Sequence, residues 1–374
     1  MNLELTDEQT FLREAARDAL SRVPTVAAAR EALEDPAALP DLWPTACSAG
    51  WAGLLVCEDG GGAGLGAFDA MLVMMESGRV LAGVGLLGHL PASSLLDAGG
   101  FAELPAVAEG TMRACFVPAR PPGDVAGGWT VEAPSGSLRT GGPVLEADGS
   151  LSGQVCWVVD APRADVYVVA ATHASDSAPV AVVIDGSAEG VSVEPVMRYD
   201  ATRSLGHVTL VSVVPVTVLE GAGGDELAGA WYLAQALLAA ESLGAVESAL
   251  QASVVYAKER FTFGRAIGSY QAVKHSLVEV LRLRENAYSL LVYAGWAYED
   301  GPDEFPLAAS AARAAAGHAL DYASRAMISV HGGSGATWEH DAPLFFRRAQ
   351  LSRRLLGGLG DATDRVAGEL LSAA

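Results

Sequence analysis

The chain has 374 residues, 51% of them hydrophobic, which is enough for two or three domains around large cores. Its 24 Lys and Arg residues stand against 45 Asp and Glu residues, and the resulting net charge of −21 argues against a nucleic-acid partner. The acidic N-terminus lacks the apolar core of a signal peptide, and the longest apolar runs, near 80–96 and 231–240, are too short to cross a membrane. We therefore expect a globular, cytoplasmic protein with no membrane partner.

Neither cysteines nor histidines form a pattern typical of a metal site. The four cysteines, at positions 47, 57, 115 and 156, lack a C-x-x-C spacing, so no disulfide framework or zinc site is indicated. The His, Glu and Asp residues of 331–341 lie in a single turn without a second cluster. We expect no bound metal.

Residues 1–110 predict an N-terminal α-helical domain. Thr6 and Gln9 form a capping box at the start of the first helix, whose apolar residues then recur at helical spacing. Proline and glycine signals separate the helices that follow, which we expect near 25–33, 41–49, 67–79 and 91–98.

Residues 111–220 predict an antiparallel β-domain, because short β-branched runs alternate with turns. The expected strands are 114–117, 129–132, 156–159, 166–171, 180–184, 191–196 and 208–214. Residues 221–374 are helical again, and long helices joined by short loops indicate an antiparallel four-helix bundle. Its helices are expected near 224–258, 269–298, 304–330 and 340–372.

The most informative stretch is 254–271, VVYAKERFTFGRAIGSYQ. Arg260 is a permanent cation with five donors suited to a phosphate, and Gly264 allows close backbone approach. Phe263 precedes that glycine, and Gln271 both donates and accepts hydrogen bonds. The alternative is an ordinary helix end with Arg260 in solvent and Gly264 as its cap.

A second informative stretch, 326–348, reads AMISVHGGSGATWEHDAPLFFRR. Backbone amides approach a phosphate or ribose only where no Cβ intervenes, which explains Gly332, Gly333 and Gly335. Gly332-x-Ser334 is not a nucleophile elbow, because Ala336 replaces the final glycine and no strand precedes it.

Together the pattern R-x-x-F-G-x-x-I-x-x-x-Q and the later glycine-rich turn resemble the acyl-CoA dehydrogenase family of FAD-dependent flavoproteins. The resemblance implies an α+β fold of helical domain, β-domain and helical bundle, assembled as a tetramer. It implies that FAD bound by a neighbouring subunit is contacted by Arg260, Phe263, Gly264, Gln271, Ser329, Gly332 and Gly333. Ser329 stands where the family has glutamine. Trp157 resembles the residue beside the flavin ring, although a core role is the alternative.

The resemblance also implies a reaction. An acyl-CoA thioester becomes the trans-2-enoyl-CoA when a carboxylate removes the α proton and flavin N5 takes the β hydride. An electron-transfer flavoprotein is the implied oxidant. A base of this kind needs an apolar setting, and Glu241 lies in a helix that is apolar nearly all round. Glu241 is therefore our candidate base, with a salt bridge as the alternative.

Several departures from the family pattern weaken this interpretation. Two other positions at which family members carry the base are Ala234 and Leu356 here. The family's Thr-Glu-Pro-like flavin loop is replaced by residues 117–121, and Val159 replaces a threonine after Trp157.

Three hypotheses remain. The preferred one is an active acyl-CoA dehydrogenase with Glu241 as base. The second is a non-catalytic or half-site subunit of an α2β2 heterotetramer with a paralogous chain. The third is a related flavin oxidase or a dehydrogenase of carrier-protein thioesters.

Overall fold

A computed structural model describes residues 4–35, 38–118, 142–196 and 199–372. Helices, a sheet and helices follow one another along the chain, so the predicted order of secondary structure is confirmed. One hydrophobic core joins the three parts, since Leu72, Trp157 and Leu237 belong to the same buried cluster.

The N-terminal part is helical, as predicted. The Thr6 capping box is confirmed, because the Gln9 amide donates to Thr6 Oγ1 at 3.1 Å and the Thr6 amide donates to Gln9 Oε1 at 3.2 Å. Pro91 lies inside a helix that begins earlier than predicted. The helices are α1 (Asp7–Ser21), α2 (Thr25–Glu31), α3 (Trp43–Ser48), α4 (Ala67–Arg79), α5 (Leu86–Ala98) and α6 (Leu104–Glu109).

The middle part is a twisted sheet whose strands are β1 (Ala114–Val117), β2 (Val144–Leu145), β3 (Leu151–Val159), β4 (Val166–His173), β5 (Pro179–Asp185), β6 (Val191–Pro195), β7 (Leu205–Val213) and β8 (Thr217–Leu219). Neighbouring strands run in the order β6, β7, β3, β2, β4, β5, β8, and β1 joins β4. The β-domain expected to be antiparallel is a mixed sheet: most of its strand pairs are antiparallel, but β4 pairs in parallel with both β1 and β2. Parallel pairing requires a crossover connection that strand patterns do not reveal. The strand predicted at 129–132 lies outside the described residues.

The C-terminal part contains α7 (Gly224–Glu259), the short strands β9 (Phe261–Thr262) and β10 (Arg265–Ala266), α8 (Gln271–Asp300), α9 (Phe305–His331), α10 (Ala342–Ser352) and α11 (Gly358–Ser372). The prediction of one final helix over 340–372 is wrong. Leu356, Gly357 and Gly358 have φ angles of 52°, 82° and 81°, and a right-handed helix cannot continue through them.

Helix α4 crosses α7 at very short range, and this crossing fixes the middle of α7. A Cβ on Gly78 would lie 1.8 Å from the Glu241 carbonyl oxygen, and one on Gly244 would lie 1.8 Å from the Met75 carbonyl oxygen. Both positions therefore require glycine, and Glu241 is held at the contact between the N-terminal and C-terminal helices.

Within the described ranges, no helix is long and apolar enough to cross a membrane. The same part of the chain contains no group of three or more His, Cys, Asp or Glu residues arranged to hold a metal ion. All four cysteines are free thiols.

Candidate functional site

The segment that links α7 to α8, residues 260–271, forms a projecting arm. Its tip is a two-residue turn between paired Thr262 and Arg265, in which Phe263 and Gly264 have φ angles of 50° and 76°. Two consecutive positive φ angles match the twist of a tight hairpin. Glycine adopts this conformation freely, whereas a phenylalanine in the left-handed region costs about 1–2 kcal/mol.

Phe263 is both strained and 94% exposed to solvent. A strained backbone is maintained only where the surrounding structure enforces it, often at functional sites. Tyr270 supplies part of that enforcement. Its hydroxyl donates to the Thr262 carbonyl at 3.3 Å, and the Arg265 guanidinium lies 4.1 Å from its ring centroid. The arm therefore presents a large apolar side chain in a fixed position, ready to be covered by another molecule.

The two polar residues predicted to act with Phe263 lie at the base of the arm. The Ile267 amide donates to the Arg260 carbonyl at 2.8 Å and closes the arm, while Gln271 begins α8. Both Arg260 and Gln271 are exposed. Within the described part of the chain, the Arg260 guanidinium has no hydrogen-bond or ion-pair partner. This cation is thus available to an anion from outside the chain.

The glycine turn, residues 332–341, follows α9. Gly332 has a φ of 62°, and neither it nor Gly333 has a heavy atom within 4 Å of an added Cβ. Gly333 has a helical φ of −56°, so neither its backbone nor its packing requires glycine. Gly335 differs, because a Cβ there would lie 2.7 Å from the Ile328 carbonyl oxygen, which is an internal reason for glycine. Ser329 is exposed on the last turn of α9.

The arm and the glycine turn are neighbours in space. The ring of Tyr256, one turn before Arg260, lies 4.3 Å from the ring of His331, which immediately precedes Gly332. The rings of His331 and His340 are in contact as well, with 4.2 Å between their centroids and a tilt of 48°. Burial lowers the pKa of His340, and the adjacent His331 lowers it further. The structure thus brings together two stretches that the sequence separates.

A second candidate site, which we call the central pocket, is lined by residues of all three parts of the chain and has a volume of about 10 Å³. It is lined by Leu87, Gly88, Phe116, Pro118, Trp157, Val159, Ala234 and Leu356. The structure therefore brings Ala234 and Leu356, the two alternative base positions, to one place beside the predicted flavin tryptophan. None of the described side chains that line this pocket is titratable.

Trp157 occupies an irregular point of β3. The register of β3 against β7 shifts between Val155 and Val158, and Trp157 has a φ of 60°. Its amide donates to His207 Nδ1 at 3.2 Å, and the two rings meet edge to face at 4.5 Å. Trp157 is buried, so it belongs to the core and lines the pocket at the same time. The two interpretations of this residue are compatible.

Glu241 lies in a buried ion cluster and is not among the residues that line the pocket. One carboxylate oxygen accepts from Arg203 Nη2, and the other accepts from Arg348 Nη1 at 2.9 Å. Arg348 also donates to Asp200 at 2.8 Å and to Thr202. Each carboxylate oxygen of Glu241 thus accepts a hydrogen bond from a guanidinium group, and the side chain is paired inside the protein. This geometry matches the salt-bridge alternative.

Arg203 and Arg348 were not predicted from the sequence as partners of Glu241. The sequence gives only an indirect indication of them, because a glutamate in an apolar helix needs either a charged partner or a catalytic role. Arg203 lies in the turn that precedes β7, and Arg348 ends the glycine-rich stretch 326–348. Their convergence on Glu241 results from tertiary contacts across 38 and 107 residues.

Comparisons with known proteins agree with this organisation. The family model "Acyl-CoA dehydrogenase, N-terminal domain" matches residues 6–100, and "Acyl-CoA dehydrogenase, C-terminal domain" matches residues 230–366. The acyl-CoA dehydrogenase IpdE2 of Mycobacterium tuberculosis is 32% identical and covers 97% of this chain and 98% of its own length. IpdE2 of Mycolicibacterium smegmatis is 28% identical over 98% of this chain and 100% of its own.

Solved structures show the same architecture. A variant of the Tcur3481–Tcur3483 steroid ACAD is 28% identical, with a TM-score of 0.84 over 98% of each chain. The ChsE4–ChsE5 complex from Mycobacterium tuberculosis is 23% identical, with a TM-score of 0.84 over 99% of each chain, a likeness of fold alone.

Proposed function

The chain belongs to the acyl-CoA dehydrogenase family of FAD-dependent oxidoreductases, and from that premise we propose that it is the half-site subunit of an enzyme built from two different chains. In this proposal the chain completes the FAD site of its partner with the arm and the glycine turn. The partner supplies the carboxylate base. The reaction is the α,β-dehydrogenation of an acyl-CoA thioester.

The central pocket is the observation that carries this proposal. Both alternative base positions face it, and they hold Ala234 and Leu356. Neither an alanine nor a leucine side chain can accept a proton, and Val159 offers no hydroxyl to a flavin. Glu241 is engaged by Arg203 and Arg348, so it does not replace the missing base.

The arm and the glycine turn suit the diphosphate and ribose of FAD, whereas the central pocket does not suit its flavin ring. The free Arg260 cation, the exposed Phe263 and the open backbone at Gly332 and Gly333 suit a diphosphate and ribose. Beside Trp157 the described lining offers no titratable side chain, and the space of about 10 Å³ among these residues would have to widen before a flavin ring could enter. When bound, FAD supplies the hydride acceptor that no side chain can provide.

Within the assembled enzyme, each described residue would have a limited task. Arg260 would donate hydrogen bonds to a phosphate of the partner's cofactor, and Gln271 would add a neutral donor or acceptor beside it. Phe263 would exclude water from that contact by its apolar area. The braced arm would keep these groups in one geometry, which lowers the entropy cost of binding.

Relatives made of two chains support a heteromeric assembly. The Tcur3481–Tcur3483 steroid ACAD is 28% identical to this chain over nearly its whole length. The α2β2 arrangement expected from the sequence is therefore the form that we propose, in preference to a homotetramer. An electron-transfer flavoprotein remains the predicted oxidant.

A reconstitution assay tests the proposal. Acyl-CoA oxidation would be measured with an artificial electron acceptor for this chain alone, for its partner alone and for their complex. Turnover by the complex only, retained in an assembled complex that carries Glu241→Gln in this chain, is the expected result. Acyl-CoA oxidation by this chain alone would overturn the half-site role and would restore the self-sufficient enzyme with its own base.

A further inference from the structure

We propose that Leu356 is a plug that keeps the central pocket of this chain closed, and that Gln235 and Arg313 hold it there. The inference rests on the proposed half-site role and adds a physical reason why this chain would hold no acyl group of its own. Three observations converge on it, namely the backbone of the α10–α11 turn, the hydrogen bonds to that turn and the size of the pocket.

The α10–α11 turn, residues 353–358, is strained at the plug. Leu356 has a φ of 52° and is followed by Gly357 and Gly358 at 82° and 81°. The glycines adopt these angles freely, but a leucine in the left-handed region is disfavoured. Leu356 nevertheless has only 4% of its surface exposed, so its side chain is packed inside the protein despite that strain.

Two buried polar side chains tie this turn to the bundle. Arg313 on α9 is completely buried and donates to the carbonyls of Ser352 and Leu355. Gln235 Nε2 on α7 donates to the carbonyl of Leu356 itself at 3.1 Å. Three carbonyls at the end of α10 are thus held by two other helices.

Burial of the Arg313 guanidinium beside this turn is unfavourable in free energy. Its Nε and Nη1 atoms are buried without a hydrogen-bond partner in the described structure, and no carboxylate there pairs with its guanidinium. Burial lowers its pKa to about 9. The negative end of the α10 dipole offsets part of the charge. Because Arg313 donates only to backbone carbonyls among the described residues, we assign it the role of positioning the α10–α11 turn.

Leu356 lines the pocket together with Leu87, Phe116 and Trp157. The remaining volume of about 10 Å³ has room for one water molecule at most. An acyl chain enters only if a lining side chain leaves. Trp157 and Leu356 both have a left-handed backbone, but Leu356 is the one in a turn whose carbonyls are bound by side chains of two other helices.

Binding of hexanoyl-CoA to the full chain, compared with binding of CoA alone, tests the plug. Wild type should bind both with equal affinity. Leu356→Gly removes the plug and relieves its backbone strain, so hexanoyl-CoA should bind about tenfold more tightly than CoA, the factor given by roughly two buried methylene groups. Leu81→Gly is the matched control, because Leu81 is also a buried leucine with a φ of 53°, but it lies outside this pocket. It should show no preference.

Two further variants keep the test decisive if Leu356→Gly does not fold. Leu356→Ala shortens the plug, and Gln235→Met removes the bond to the Leu356 carbonyl at similar volume. Both should gain preference for hexanoyl-CoA in the same direction. A wild-type chain that already prefers hexanoyl-CoA tenfold would overturn the plug, as would variants at 356 that gain nothing. The titration uses this chain without partner or FAD, so its outcome is independent of the reconstitution assay.

Discussion

The phenol ring of Tyr256 forms a tilted stack with the imidazole ring of His331, with 4.3 Å between the centroids and 33° between the ring planes. Tyr256 lies near the end of α7, and His331 is the last residue of α9. This contact holds the arm and the glycine turn close together. These are the two parts of the chain that we propose to contact a partner's cofactor.

Removing the stack should loosen that arrangement. Tyr256→Ala should weaken FAD binding by the assembled enzyme about 2- to 12-fold, because an aromatic pair contributes roughly 0.5–1.5 kcal/mol beyond its buried area. Tyr256→Phe keeps the ring and should bind FAD like wild type. Fluorescence titration with FAD measures both. Equal losses in the two variants would mean that the hydroxyl, rather than the stack, matters.

Arg260→Ala should release FAD from the complex. A hydrogen bond to a charged group contributes about 1.5–3 kcal/mol, so the dissociation constant should rise roughly 10- to 100-fold. Arg282→Ala is the control, since Arg282 is another exposed arginine that pairs with Glu279 on α8. Wild-type FAD affinity in Arg260→Ala would contradict the assignment of the arm to the cofactor.

Glu241→Gln should act on stability. Loss of one partner from a buried ion cluster costs about 3–5 kcal/mol, since Arg203 would lose its carboxylate and Arg348 would keep only Asp200. Glu247→Gln removes a partly exposed partner of Arg79 and should cost less than about 1 kcal/mol. Urea denaturation compares the two. A Glu241→Gln chain of unchanged stability whose complex no longer turns over would return Glu241 to the role of base.

Stability should also depend on pH through His89. Its Nδ1 accepts from the Ala114 amide at 3.1 Å, its Nε2 contacts the Ala52 carbonyl at 3.2 Å, and burial lowers its pKa to about 4. In the unfolded chain the His89 imidazole takes up a proton near pH 6.5, whereas in the folded chain it does so only near pH 4. Stability is full above pH 6.5 and is lost as the pH falls, by roughly 2 kcal/mol at pH 5. Urea denaturation of His89→Gln should lack this component; an unchanged slope would contradict it.

Local signals in the sequence predicted much of the fold. The Thr6 capping box and the limits of α4 at Ala67 and Arg79 match the structure, because caps and apolar periodicity act over a few residues. The break at residues 356–358 was missed although the pair Gly357-Gly358 is a turn signal, whereas the left-handed backbone of Leu356 itself has no local signal. The parallel pairing of β4 was missed for a similar reason, as it depends on connections between distant segments.

The site was predicted unevenly for the same reason. The motif residues Arg260 and Gly332 were identified through the resemblance of their stretches to a family pattern, and the structure places these segments side by side. Glu241 was selected because it is an isolated acid in an apolar helix, but that pattern does not distinguish a base from a paired carboxylate. Its partners Arg203 and Arg348 come from other parts of the chain, and only the folded structure reveals them.

The amount of FAD bound per chain distinguishes a half-site subunit from a self-sufficient enzyme. We would purify this chain alone and in complex with its partner, then measure flavin absorbance against protein concentration. We expect no bound FAD for the chain alone and one FAD for every two chains in the complex. One FAD for every chain in an assembly of this protein alone, reduced by an acyl-CoA in the absence of air, would contradict it.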